Sequence, residues 1–252
     1  MPSLLLHGTG ISFSYYMGLF YDNYDMLKNE IQCHELKFQC ISGSIIATLF
    51  FVTTNTQNEY FILCNKFISQ CISYIETTNK DKYMLTVAQS FLDHVVRIFL
   101  EQHLRWNVAG PLINRYVSIW VGEFQGFWLK NILEEQFKHK TEFVDILVSG
   151  MSIPFVTMKS LYRVVSVRGK KRRLLDSFIV GKQDVDDITI TPFKMWGTRC
   201  SMHGSIDIWN CVNIFQDPYT MFHRGIDDGY LLKYHLAKQD SCKLNLYFCL
   251  GN

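Results

Sequence analysis

The chain opens on an apolar run, Ser3 to His7, that stops at Gly8-Thr9-Gly10. A run of that length closed by glycines predicts a short buried strand and a tight turn. Aromatic and aliphatic residues then recur at helical spacing from Ser14 to about Lys28, predicting a helix. Leu36 to Ile41 alternates loosely, as a second strand does, and Ser44 to Thr53 is almost wholly apolar, as a helix packed on both sides is. Strand, small-residue turn, helix thus recurs within the first fifty-odd residues, the signature of an α/β fold.

From Asn58 to Phe137 the periodicity is helical, with Leu92, Val95, Val96, Phe99 and Leu100 on one side of a long helix. Short apolar stretches at Phe143–Ser149, Leu161–Val167, Leu174–Val180, Ile188–Thr191 and Leu244–Leu250 predict strands, with Arg168-Gly169-Lys170 as one of the turns between them. No repeat, low-complexity tract or proline-rich linker divides the chain, so residues 1–252 are expected to form one α/β sandwich.

Composition narrows the function classes. The chain is 48% apolar over 252 residues, enough for a core without disulfides or metals. Its formal net charge of +2 lacks the basic excess of a dedicated nucleic-acid binder. The start of the chain has no basic region followed by a long apolar run, so no secretion signal is expected. The longest apolar stretch, Ile45 to Val52, is far short of a membrane span. Eight cysteines are scattered without a CxxC pair or a zinc-type cluster, as in a reduced, cytoplasmic protein.

Three constellations carry candidate chemistry. Gly8, Thr9 and Gly10 sit between a strand and a helix, where backbone N–H groups can converge on an oxyanion or a phosphate, or simply make a turn. Cys40-Ile41-Ser42-Gly43-Ser44 places a hydroxyl between a strand and an apolar helix, as a nucleophile elbow does. Such elbows usually read G-x-S-x-G, and here Cys40 and Ser44 replace the outer glycines; a serine capping the following helix would read the same way. Asp227-Asp228-Gly229 ends an apolar approach and offers either a catalytic carboxylate or an ordinary turn.

In this order and spacing, the three turns resemble the patatin-like phospholipases. Gly8, Gly10 and Gly18 are similar to that family's glycine-rich oxyanion turn and following helix, Cys40 to Ala47 to its serine elbow, and Asp227 to Leu231 to its Asp-Gly-Gly segment. The stretch Gly122 to Gly126, then Leu129 to Leu133, resembles the segment before the family's mid-domain helix. The resemblance implies a three-layer sandwich, a central mostly parallel sheet with helices on both faces. It also implies a Ser-Asp dyad without histidine, metal or organic cofactor. Ser42 would attack a glycerolipid acyl carbonyl, Asp227 or Asp228 would act as general base, with Asp227 preferred, and Gly8, Thr9 and Gly10 would bind the oxyanion.

The chain departs from the family where Ser12-Phe13 replaces a basic residue and glycine, and a second elbow register would put Ile41 at the nucleophile position. A catalytically inactive fold acting as a lipid-binding or protein-interaction module is therefore the alternative to an active hydrolase. The dense basic run Arg168, Lys170, Lys171, Arg172 and Arg173 falls on a predicted hairpin tip, where it is either a solvated loop or a peripheral contact with anionic lipid.

Overall fold

The computed structural model describes residues 3–8, 12–78, 90–177, 188–193, 202–206 and 217–236. The first unit is strand β1 (Ser3–Leu6), then helices α1 (Ser14–Asp22) and α2 (Tyr24–His34), then β2 (Lys37–Ile41) and α3 (Ser44–Thr53). The helix expected over Ser14–Lys28 breaks at Asn23, whose amide Nδ2 donates to Leu19 O at 2.9 Å and Gly229 O at 3.2 Å. Helix α4 (Gln57–Thr78) follows, then a π-helical stretch (Leu92–Arg97) running into α5 (Ile98–His103), and α6 (Trp106–Tyr116).

Two expectations are corrected in the middle of the chain. Within the stretch read as helical to Phe137 lies a hairpin, β3 (Val117–Gln125) and β4 (Trp128–Glu134), turning at Gly126 with a left-handed φ of 67°. The alternation was masked because β3 lies inside the sheet and buries both faces. Conversely, Phe143–Ser149, expected as a strand, belongs to helix α7 (Lys140–Gly150), most of which is buried. A short apolar run buried all round carries no period that separates the two states.

Strands β5 (Arg163–Val167) and β6 (Lys170–Asp176) form a second hairpin across Arg168 and Gly169, both with positive φ. β7 (Ile188–Phe193), β8 (Met202–Ile206), α8 (Pro218–Asp227) and a final helix over 229–236, α9, complete the described chain. The strand expected over Leu244–Leu250 lies outside the described residues.

The result is a mixed α/β fold around an eight-stranded, mostly parallel sheet of order β5-β6-β3-β2-β1-β7-β8, with β4 on β3. β1, β2, β3, β7 and β8 run parallel, and both hairpins attach antiparallel to the β3 side. One face of the parallel strands, carrying Leu4, Leu6, Phe38, Cys40, Ile119 and Ile190, joins the helices in one continuous core. Leu5, Ile41 and Thr191, on the opposite face, are buried as well. Large aromatic side chains fill this core, and three of its tyrosine hydroxyls end on backbone carbonyls: Tyr16 on Ile190, Tyr24 on Thr54 and Tyr60 on Met17. Aromatic bulk is buried there without leaving an unpaired polar tip.

Helices α1 and α8 cross backbone on backbone. A Cβ placed on Gly18 would strike the carbonyl of Phe222, and one on Gly225 the carbonyl of Tyr15. Each helix thus supplies a glycine facing the other's main chain. Asp217 caps α8 by accepting from the N–H groups of Tyr219 and Thr220, with Pro218 in the first turn. Gly225→Ala is expected to lower the unfolding free energy by about 1–3 kcal/mol or more, because a methyl must force the helices apart. Urea denaturation measures this, and a loss below about 0.5 kcal/mol would show that the crossing is not tight.

Candidate active site

The parallel strands point their C-terminal ends in one direction, and β2 ends there at Ile41, directly followed by Ser42. Ser42 has φ of 56°, in the left-handed region that a residue with a side chain adopts only at a cost of roughly 1 kcal/mol or more. Strand, one left-handed residue and helix is the geometry of a nucleophile elbow. It also selects between the two sequence registers: Ile41 is the last strand residue and Ser42 is the apex. Ser42 does not cap α3, whose N-cap is Gly43 without a side-chain hydrogen bond.

The side chains that replace the usual elbow glycines are absorbed by local bonds. Cys40 turns toward α3, its thiol 3.3 Å from Thr48 Oγ1, and burial pushes the thiol up to about 12. Ser44 Oγ lies 2.8 Å from Ile41 O and 3.2 Å from Leu6 O as donor, and accepts from Ile41 N at 3.1 Å. One hydroxyl therefore stitches the turn to itself and to β1.

Gly8 meets the elbow from β1. A Cβ there would stand 2.9 Å from Ser42 Cβ and 3.4 Å from Ile41 Cγ2, so glycine is what permits this approach. Gly8 and Ser42 are thereby brought together as the sequence suggested; Thr9 and Gly10 lie outside the described residues. Burial, and after it the nearby His203, lower the pKa of the neighbouring His7. The N–H of Gly43, the residue after the serine, is a donor position for an oxyanion in such elbows. The N-terminus of α3 adds its positive end to the same place.

Neither aspartate of the Asp227-Asp228 pair is brought to Ser42. Asp227 is exposed at the end of α8. Asp228 is buried and accepts three hydrogen bonds at 2.9 Å on Oδ2, from Tyr15 Oη, Ser205 N and Ser205 Oγ. Ser205 belongs to β8, three strand spacings from β2, or about 14 Å across the sheet. Asp228 ties α1, α8 and β8 together, and the Tyr15 hydroxyl, buried beside that carboxylate, is driven far above its ordinary pKa by desolvation and by the neighbouring charge.

A different carboxylate stands beside the elbow. β4 occupies one edge of β3 over Ile119–Gln125, so β2 and β6 share the other edge. β2 ends where Ile41 pairs with Trp120, and β6 ends where Asp176 pairs with Val121. Two strand C-termini thus converge on consecutive residues of β3, about 3.3 Å apart along it. Asp176 is fully buried, and its N–H donates to Ser152 O at 3.0 Å. Its side chain shares the sheet face of Val121, the face on which α7 and the first turn of α3 pack: a Cβ on Gly150 would lie 3.2 Å from Val121 Cγ1 and 3.6 Å from Ile45 Cδ1. The sequence reading ran a strand from Leu174 through Val180 and passed over this residue. A lone carboxylate inside an apolar strand was the available signal, since buried charges need a specific reason.

The basic run also divides. Arg172 points inward, pairing with Glu123 at 2.6 Å and Glu134 at 2.5 Å, both nearly buried, and is withdrawn from any lipid contact. β-strand alternation sends it to the opposite side from Lys171 and Arg173, which are exposed. Among the described residues no group of three or more His, Cys, Asp or Glu side chains is arranged to hold a metal. No helix among them is long and apolar enough to cross a membrane.

No family model and no curated protein matches the chain. Among solved structures, it is similar to a chain of the heterodimeric ExoU–SpcU complex from the type III secretion system of Pseudomonas aeruginosa, with 11% identity and a TM-score of 0.45 over 94% of this chain. It spans about half of that chain, 52%.

Two stability measurements test the assignments. Asp228→Ala is expected to cost about 2–4 kcal/mol by stranding buried donors, whereas Asp227→Ala should fall within about 0.5 kcal/mol of the parent; equal effects would contradict the placement. Ser42→Gly is expected to be more stable than Ser42→Ala by roughly 1 kcal/mol, since both remove the hydroxyl and only glycine relieves the left-handed strain.

Proposed function

We propose that this chain is a serine acyl hydrolase of patatin-like type that cleaves fatty-acyl esters of phospholipids or other glycerolipids from the aqueous, cytoplasmic side of a lipid surface. The observation that carries the reading is Ser42 in a left-handed turn between a buried parallel strand and a buried helix, with Gly8 against it and a buried carboxylate, Asp176, at the end of the adjoining strand. Asp176 takes the role that the sequence assigned to Asp227 or Asp228.

In this reading the Asp176 carboxylate accepts the Ser42 hydroxyl proton as Oγ attacks the acyl carbonyl. The N–H of Gly43 and the turn that begins at Gly8 receive the developing oxyanion, aided by the α3 N-terminus. Collapse expels the alcohol, which takes the proton from Asp176 and leaves an acyl-serine. Water then attacks the acyl group, returning its proton through Asp176 and releasing the fatty acid. Neither a histidine nor a metal enters these steps.

One observation favours the alternative of an inactive fold acting as a lipid-binding or interaction module: Ser42 is only 2% exposed, so substrate must open the turn to reach it. The two readings separate on a fluorophosphonate probe. An active enzyme is labelled and releases fatty acid, and Ser42→Ala abolishes both. Asp176→Asn is expected to slow ester hydrolysis 10²–10⁴-fold, the usual worth of a general base. Absence of labelling on the folded parent chain, or full activity in Asp176→Asn, sinks the proposed dyad.

A further inference from the structure

Asp176 stands where β6 has outrun its neighbour. β5 begins with Arg163 opposite Leu174, so β6 continues past it to Asp176, whose N–H donates to Ser152 O at 3.0 Å. Ser152 is fully buried just beyond the end of α7. Its N–H donates to Ser149 O at 3.0 Å and its hydroxyl to Val148 O at 2.6 Å, which ties it to the last turn of that helix. The same hydroxyl oxygen accepts from Arg163 Nε at 2.6 Å. A strand end gripped by one carbonyl is only as fixed as the residue that carries the carbonyl.

Arg163 is itself held on its other side. Residues opposite each other in an antiparallel pair share a face, so Arg163 rises on the face of Leu174 and Asp176, about 7–8 Å from Asp176 along the diagonal. Its two Nη atoms donate to both carboxylate oxygens of Asp93, at 3.0 and 2.8 Å, the two-bond geometry that fixes a guanidinium in orientation. Asp93 lies in the π-helical stretch Leu92–Arg97 and also accepts from Arg97 Nε at 3.3 Å, while Arg97 Nη1 reaches on to Asp145 of α7 at 2.7 Å. Burial by itself raises the Asp93 pKa, but the bonds and charge of Arg163, and then of Arg97, hold it below its ordinary value. The anion that seats Arg163 therefore persists at neutral pH. A wider helical turn re-aims the side chains it carries, and such turns inside helices are frequent at functional sites.

We infer that Arg163 is a positioning residue: seated by Asp93, it fixes Ser152, and through the Ser152 carbonyl it holds the end of β6 so that the Asp176 carboxylate is aimed at the elbow. The inference rests on the hydrolase reading for its chemistry and on this chain of hydrogen bonds for its geometry. Arg163 touches no reacting atom in this arrangement. Orientation is its part, and a misplacement of about 1 Å between reacting groups can cost roughly 10²-fold in rate. The Arg163 side chain is only 18% exposed, and Nε, Nη1 and Nη2 are all engaged. A lysine ammonium is a point charge without that fork, so it can keep one of the two anchors but not both.

The test reads hydrolysis of a soluble ester, and amide hydrogen exchange at Asp176 by NMR, on the full chain. Arg163→Gln is expected to lower kcat by at least about tenfold with KM changed less than about threefold, and Asp93→Asn to act in the same sense by less. Arg163→Lys should recover part of the loss. In an Asp176→Asn background, Arg163→Gln should lower the residual rate by less than about twofold, because a residue that acts through Asp176 then has no base left to position. A merely structural loss would instead add in full. Exchange at the Asp176 amide should quicken at least about tenfold in Arg163→Gln, with the amides of β1 unchanged. Circular dichroism checks folding, and should Arg163→Gln not fold, Arg163→Lys and Asp93→Asn carry the same comparisons. The inference is overturned by parent kcat in the folded variants, by additive losses in the double variant, or by unchanged exchange at Asp176. A parent chain that hydrolyses no ester, or full activity in Asp176→Asn, sinks the hydrolase reading instead, and the exchange measurement then still decides whether Arg163 holds Asp176.

Discussion

The contact on which the rest of the molecule turns is the crossing of α1 and α8, where glycines let two main chains touch. Close-packed helices with ordinary side chains sit about 8–10 Å apart, and facing glycines bring them nearer. Here Gly18 lies under Phe222 and Gly225 over Tyr15. This approach delivers Asp228, the residue after α8, to the hydroxyl of Tyr15 on α1 and to Ser205 on β8. A late segment of the chain is thereby locked to the first helix and to the far side of the sheet. The carboxylate that looked catalytic in sequence is a buried structural clasp, and its three donors leave it little freedom for any other task.

That clasp holds α1 behind β1, and β1 in turn sets the elbow. Gly8 leaves β1 close enough to Ser42 that no side chain fits between them, while Ser44 Oγ reaches back to Leu6 O. The strained serine is therefore held by bonds from two strands and one helix, and two elbow glycines can be replaced without losing the turn. Backbone strain at a functional position persists when the surroundings over-determine it, and here one hydroxyl and one well-packed thiol do so.

The edge of β3 determines what faces the elbow. Because β4 fills the other edge, β2 and β6 must end against each other, and the end of β6 is Asp176. The same arrangement extends the β3–β4 hairpin past the parallel strands, placing the exposed Phe127 and Trp128 at the serine end of the sheet.

The amino-acid sequence by itself determined the strand-turn-helix units around Gly8 and Ser42, because local periodicity and small residues at turns are short-range properties. It carried the α/β class and the Arg168–Gly169 hairpin for the same reason. It did not distinguish helix α7 from a strand, since a segment buried on every side has no polar face to set a period. It also did not expose the β3–β4 hairpin, whose inner strand hides its alternation. Only the tertiary structure decided that Asp228 is bound up by Tyr15 and Ser205, that Arg172 turns inward, and that Asp176 lies beside the elbow. Those outcomes depend on which strands are neighbours and in what register, relations between residues far apart along the chain that no local pattern records.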